Sequence, residues 1–174
     1  MAIIRKVRGF EPKIGKNCFL AENAAIIGDV TMGDDCSIWY GAILRGDVNP
    51  IKIGNRVNIQ DGTVLHTLYQ RSEVEIEDDA SIGHNVTIHG AKIGKGVLVG
   101  MGSIILDYAE IGEGAIIGAG ALVLSHTIVE PHTLWAGVPA KFIKKLPEEE
   151  VARINDKTSK GYLMYKEWFK ENEK

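Results

Sequence analysis

The chain has 174 residues, 45% hydrophobic and 25% charged, with a formal net charge of −3. That is length enough for one domain with its own core, and it offers no broad basic field for nucleic acid or an anionic membrane. Two cysteines are too few for a disulfide scaffold, and with no secretory leader or spanning apolar run in view the expectation is a cytoplasmic protein, or one in the compartment to which a processed chain was sent. In chain order, the basic lead-in Met1–Gly9 gives way to a period of six. Its anchors are Ile14, Leu20, Ile26, Met32, Ile38 and Leu44, then Ile53, Ile59 and Leu65, then Ile76, Ile82 and Ile88. A last run takes Ile93, Val99, Ile105, Ile111, Ile117, Val123 and Val129, with Trp135 as a further member. After Pro139 the repeat stops. Ala140–Leu146 is basic and apolar, and Pro147 followed by Glu148, Glu149 and Glu150 suits a helix start. Gly161 is expected to interrupt or kink that region, beyond which Tyr162, Tyr165 and Phe169 fall at helical spacing. The organisation expected is a coil domain over 1–139 and a helical cover over 140–174.

Neither a helix, which needs apolar spacings of three and four, nor a free strand, which alternates by two, explains a strict six. Six residues make one short flat strand and a corner, and three such sides close a triangular coil of about 18 residues whose neighbours bury its anchors. Small residues often follow the anchors, as at Gly15, Ala21, Gly54, Gly83, Gly94, Gly100, Gly112 and Gly118. Three gaps break the register. Leu44 to Ile53 spans nine, so Asp47–Pro50 is expected to loop out of a corner. Leu65 to Ile76 spans eleven, one short of two sides, and Ile88 to Ile93 spans five. The cysteines Cys18 and Cys36 stand one coil apart, which suits stacked burial.

Of five histidines, His66 and His89 each follow an anchor, while His84 lies two past one. This spacing places His66 and His84 near one side, one coil apart, with His89 on the next side of the coil that carries His84. Three imidazoles so placed do not converge within one thin wall: His66 and His89 can flank one external corner, while His84, offset by a residue, projects elsewhere. A cyclic assembly lets His66 and His89 of one subunit meet His84 of its neighbour. His126 and His132 are read as surface or packing residues.

Trp39–Asp47 (WYGAILRGD), Asn58–Gly62 (NIQDG), His66 and Gly83–Gly90 (GHNVTIHG) resemble the γ-class carbonic anhydrases among the hexapeptide-repeat proteins. The resemblance implies an all-β, left-handed parallel β-helix with a C-terminal helical segment. The left hand comes from the resemblance alone, since ordinary crossover connections are right-handed. It also implies a homotrimer with His66, His84 and His89 holding zinc, or iron or cobalt, at subunit interfaces. Further implications are a charged pair Arg45–Asp47, a solvent-orienting Gln60, an acidic neighbour Asp61 and a corner support in Asn58. The implied reaction is the reversible hydration of carbon dioxide to bicarbonate. Thioester hydrolysis, acyl transfer and a structural assembly role are the alternatives. The family's founding type has an acidic loop after the first ligand, carrying a glutamate proton shuttle. The stretch between His66 and His84 is short, so that loop is expected to be absent here.

Overall fold

The computed structural model describes residues 1–170. Two- and three-residue strands, each with its anchor turned inward, stack in parallel into three flat faces. The first face carries Lys13–Ile14, Val74–Ile76, Lys92–Ile93, Glu110–Ile111 and Ile128–Val129. The second carries Phe19–Leu20, Ser37–Ile38, Asn58–Ile59, Ser81–Ile82, Leu98–Val99, Ile116–Ile117 and Thr133–Ala136. The third carries Val64–His66, Thr87–His89, Ile104–Ile105 and Leu122–Val123. Two long strands, Ala25–Met32 and Ile43–Ile53, bend across the corner from third face to first and belong to both. The chain is thus the parallel β-helix that the period of six implies. Ile26, Ile38, Leu44, Ile59, Leu65, Ile82, Ile88 and Ile105 are fully buried along its axis. Trp135 pairs in register with Ile117 as the last anchor. Ile14, Leu20 and Trp135, at the two ends of the stack, are half-buried.

Regular coils pair each anchor with the third anchor after it, as Leu20 with Ile38 or Val99 with Ile117. Three coils depart from the regular length. Ile38 pairs with Ile59 and Ile59 with Ile82, both longer than regular, while Ile82 pairs with Val99 in a coil one residue short. Every departure falls at the third-to-first corner. Asp47–Pro50 does not leave the ladder as a loop. It forms a bulge within Ile43–Ile53, between the pairs Gly28–Gly46 and Val30–Ile51. The gap from Leu65 to Ile76 is one side plus a five-residue insertion, not two sides less one. Val74 pairs directly with Ile51 on the first face, so no further side has been traversed.

The first-to-second corner is regular. It stacks Asn17, Asp35, Arg56, Asp79, Gly96, Gly114 and His132, all with φ between 54° and 63°. Cys18 and Cys36 lie beside it, one coil apart and both free, with thiols donating to the Gly33 and Gly54 carbonyls.

Beyond Pro139 the chain first forms a strand, Lys141–Lys145, antiparallel to Thr133–Ala136, so the helical cover starts later than residue 140. Helix α1 (Glu148–Lys157) begins after an extended Pro147 with three glutamates in its first turn, where the helix dipole favours acid. The break to α2 (Ser159–Lys170) comes at Thr158. Gly161 lies inside α2 beneath the Tyr165 ring, so it does not interrupt the helix as expected. Residues 171–174 of the expected cover lie outside the described residues. The helices return along the first-to-second corner. Val151 packs on Gly114, Ser159 Oγ donates to the Arg56 carbonyl, and Lys166 Nζ reaches the Asn17 and Asp35 carbonyls at 2.9 and 3.2 Å and Asp35 Oδ1 at 3.0 Å. Phe19, Trp39, Tyr162 and Phe169 pack ring against ring on the second-face side. Among the described residues, no helix is long and apolar enough to cross a membrane.

Candidate functional site

The outward residues distinguish the faces. The first face presents Lys13, Thr31, Lys52, Glu75, Lys92 and Glu110 in a largely charged column. On the second, Phe19, Ser37, Asn58 and Ser81 are buried. The third presents Ala25, Ile43, Val64, Thr87, Ile104 and Leu122. This column is apolar except for Thr87, and Ile43 and Ile104 are 38% and 42% exposed.

The residues singled out from the sequence fall at the two edges of this third face, except Asn58, which lies on the second face beside one of them. At the third-to-first corner stand Arg45, Asp47, His66 and His89. His66 and His89 end adjacent strands in the same register. Each follows an inward anchor, so its ring projects outward from the strand end. His66 Nδ1 and His89 Nε2 are 3.2 Å apart. Asp47 Oδ1 lies 3.1 Å from His66 Nε2, and Asp47 Oδ2 accepts from Arg45 Nη1 at 2.6 Å. Both oxygens of Asp107 lie 2.9 Å from His89 Nδ1, and Ser72 Oγ donates to Asp107 Oδ1 at 2.5 Å.

Ionised carboxylates only accept hydrogen bonds, so each imidazole carries its N–H on the carboxylate side. That leaves the lone pairs of His66 Nδ1 and His89 Nε2 facing each other, an arrangement stabilised by a cation between them. Two nitrogens at 2.0–2.1 Å from a tetrahedral ion stand about 3.3 Å apart, so the observed spacing fits two ligands of one ion. Burial is the main cause of a lowered His66 pKa, with Arg45 and His89 adding to it against Asp47. The ring is therefore held neutral, the form that coordinates. Burial works to raise the pKa of Asp47, but its bonds to Arg45 and His66 outweigh this and hold the carboxyl below the usual range.

At the other edge, the second-to-third corner, His84 stacks over Asp61, with Nδ1 2.8 Å from Asp61 Oδ2. Gln60 Nε2 donates to Asn58 Oδ1 at 3.0 Å, and Asn58 Nδ2 donates to Ser81 Oγ at 2.8 Å, all three residues being buried. His84, in the turn before the strand Thr87–His89, and His89, at its end, therefore stand at opposite edges of the third face. His66 has His89, not His84, as its neighbour one coil on. The spacing of His66 and His84 matches a regular coil and so misleads, because the coil between their levels carries the insertion. Among the described residues of one chain, no three His, Cys, Asp or Glu side chains converge as a metal site.

The five-residue insertion after His66 is tied down. Asn49 Nδ2 donates to the Leu68 and Ser72 carbonyls, and Arg8 sits over the Tyr69 ring at 5.3 Å. Glu73 is paired with Lys52 at 2.9 Å, so it is engaged on the first face rather than with the imidazoles. Sequence reasoning missed Asp107 and Ser72. Asp107 lies one position past the register partner of His89, because that coil is one residue short, but its spacing from His89 equals a regular coil, a signal that could have found it. Ser72 sits in the irregular insertion, where no periodicity operates. His126 stacks on Tyr108 at 4.8 Å, consistent with packing.

The family profile described as "Bacterial transferase hexapeptide (six repeats)" matches residues 11–46 and 90–125. A protein of Geobacillus kaustophilus named carbonic anhydrase is 43% identical over 168 residues, 97% of this chain and 91% of that one. The mitochondrial γ carbonic anhydrase 2 of Arabidopsis thaliana is 39% identical over 157 residues, 87% of this chain and 56% of that one. A crystal structure of a hexapeptide transferase family protein from Anaplasma phagocytophilum superposes with a TM-score of 0.91 at 39% identity, covering 96% of this chain and 98% of that one.

Proposed function

The chain belongs to the γ-class carbonic anhydrase family, and from that premise we propose that it hydrates carbon dioxide reversibly to bicarbonate, as a homotrimer with a metal ion at each subunit interface. The observation that carries this reading is the division of the site between the two edges of one uncovered apolar face. Threefold packing through that face lays the His66–His89 edge of one subunit against the His84 edge of the next. The third donor is then His84 Nε2, whose other ring nitrogen is engaged by Asp61.

Zinc is the proposed ion, with iron or cobalt as alternatives that three imidazoles also accept. When bound, such an ion lowers the pKa of water enough to supply a nucleophile near neutral pH. The chain's own groups do the rest. Asp47, Asp107 and Asp61 each fix one imidazole by its N–H. Arg45 holds Asp47. Asn58 fixes the rotamer of Gln60, whose oxygen is left to orient solvent or substrate. The names of several relatives support an enzyme of this kind. One observation favours a second reading, metal-assisted thioester hydrolysis. A pocket of about 390 Å³ lined by Trp39, Tyr40, Tyr162, Tyr165, Trp168 and Phe169 adjoins Asp61, roomier than carbon dioxide requires.

Subunit mixing tests the reading. Trimers made wholly of His84→Ala or wholly of His89→Ala chains are expected to lose their metal. Trimers mixed from the two variants contain one intact interface, and should regain about one ion and about a third of the wild-type hydration rate by stopped flow. Metal retained in full by the His84→Ala trimer, or no metal regained on mixing, would overturn the interface site. A metal-loaded protein that cleaves thioesters and leaves the carbon dioxide rate at the buffer value would replace the first reading by the second.

A further inference from the structure

The inserted loop and the coil above it meet at His89 in a way that the metal ligands alone do not explain. Asp107 leaves the third face two residues past its anchor Ile105 and reaches down one coil to His89 Nδ1, with both oxygens at 2.9 Å. Its Oδ1 is also taken by Ser72 Oγ from the five-residue insertion, one coil below His89. Ser72 is not a free rotor, since its Oγ accepts the Leu68 N–H at 3.1 Å and its carbonyl is held by Asn49 Nδ2 at 2.8 Å. Both Ser72 and Asp107 thus come from elsewhere in the stack and close over the residue after His89.

That residue is Gly90, with φ +62°, and a Cβ there would overlap Ser72 Oγ and Asp107 Oδ1. The Ser72–Asp107 bond therefore passes through space that only glycine leaves open. Burial pushes the Asp107 pKa up, yet the bonds from Ser72 and His89 outweigh it and keep the carboxyl below its usual range.

Building on the metal reading above, we propose that Ser72 and Asp107 act as a positioning relay, with the insertion serving to deliver Ser72 so that His89 presents Nε2 in one tautomer and one orientation. Groups that orient a coordinating histidine through its second nitrogen typically change metal affinity 10- to 100-fold. Asp107→Ala is expected to weaken zinc binding by that factor in a chelator competition. Ser72→Ala should weaken it several-fold. Gly90→Ala, which alters no polar group, should resemble Asp107→Ala. Asp107→Asn, whose amide oxygen still accepts from Nδ1–H, should fall between Asp107→Ala and wild type.

Nitrogen-15 spectra of the metal-free protein give a second readout that a merely structural tie would leave unmoved. His89 should show a protonated Nδ1 in the wild type and lose that preference in Asp107→Ala, with unchanged circular dichroism confirming the fold. Wild-type zinc affinity in a folded Asp107→Ala protein, or an unchanged His89 tautomer, overturns the relay. A wild-type protein that binds no metal overturns the functional reading instead, and the tautomer experiment then decides the relay by itself.

Discussion

Two corners of the same triangular coil have opposite characters. The first-to-second corner repeats one conformation, from Asn17 through Asp35, Arg56 and Asp79 to His132, all with positive φ. Its free polar groups go to the returning helices, as where Lys166 meets Asn17 and Asp35. The third-to-first corner holds every change of coil length, and with it a bulge, an insertion and a deletion. The difference teaches where such a scaffold can change. A stack whose inward anchors stay in register tolerates length changes at an outer corner, because loops cost little to extend while a shifted anchor would empty the core. His66 and His89 stand at the irregular corner, and the contacts of the returning helices at the regular one.

This contrast can be broken experimentally, beginning with the face that adjoins the irregular corner. Ile104 stands 42% exposed in the apolar column. If the proposed trimer packs through this face, Ile104→Arg is expected to yield monomers by light scattering and to abolish metal binding, although residue 104 lies in neither histidine cluster in the register. A variant that stays trimeric with full metal would show that this face is not the interface.

The regular corner predicts the reverse, a loss of stability with the metal retained. Lys166→Met leaves two carbonyls and the Asp35 carboxylate without their buried donor and should cost about 1–3 kcal/mol, seen as faster hydrogen exchange in α2 at constant metal content. The pH dependence follows from the same contact. Lys166, and after it Asn17, hold the Asp35 pKa below its usual value. The stabilisation is therefore complete above the unfolded pKa of about 3.9 and is lost as pH falls through the lower folded value. Acid should loosen α2 in the wild type, and Lys166→Met should flatten that dependence. The smallest effect belongs to the first face. Lys92→Glu reverses one charge in a solvated column between Glu75 and Glu110, and should change stability by less than about 1 kcal/mol, fading in salt, with oligomer and metal unchanged.

What is legible in the sequence follows from the same division. The anchors from Ile14 to Trp135 are readable because a buried position admits few residue types, and repetition makes each occurrence check the others. His66, His84 and His89, with Arg45, Asp47, Asn58, Gln60 and Asp61, are found by resemblance. The sequence also sets His66 and His89 at one corner with His84 apart from them, as the structure does. Counting in regular coils fails across the insertion, so it matches His66 to the wrong partner level. The bulge at Asp47–Pro50 looks like a loop because a strand that turns a corner while keeping its pairs has no periodic signature. The strand Lys141–Lys145 is absorbed into a helical cover because a basic, apolar stretch fits either form, and its pairing with Thr133–Ala136 is a tertiary fact. Thr158 and Gly161 show the same limit. A glycine within a helix is tolerated when a neighbour such as Tyr165 covers it, and composition says nothing of that cover.

The return of α2 to the first coil has a consequence for how the molecule comes apart. A simple stack of repeats can fray from either end, since each unit touches only its neighbours. Here a hydrogen bond joins Lys166 to Asn17, positions 149 residues apart, and fastens the returning helix to the first coil. The linear array becomes a closed circuit. Its bottom unit gains a lid only once α2 has docked, and that unit is held in the stack until the clasp lets go.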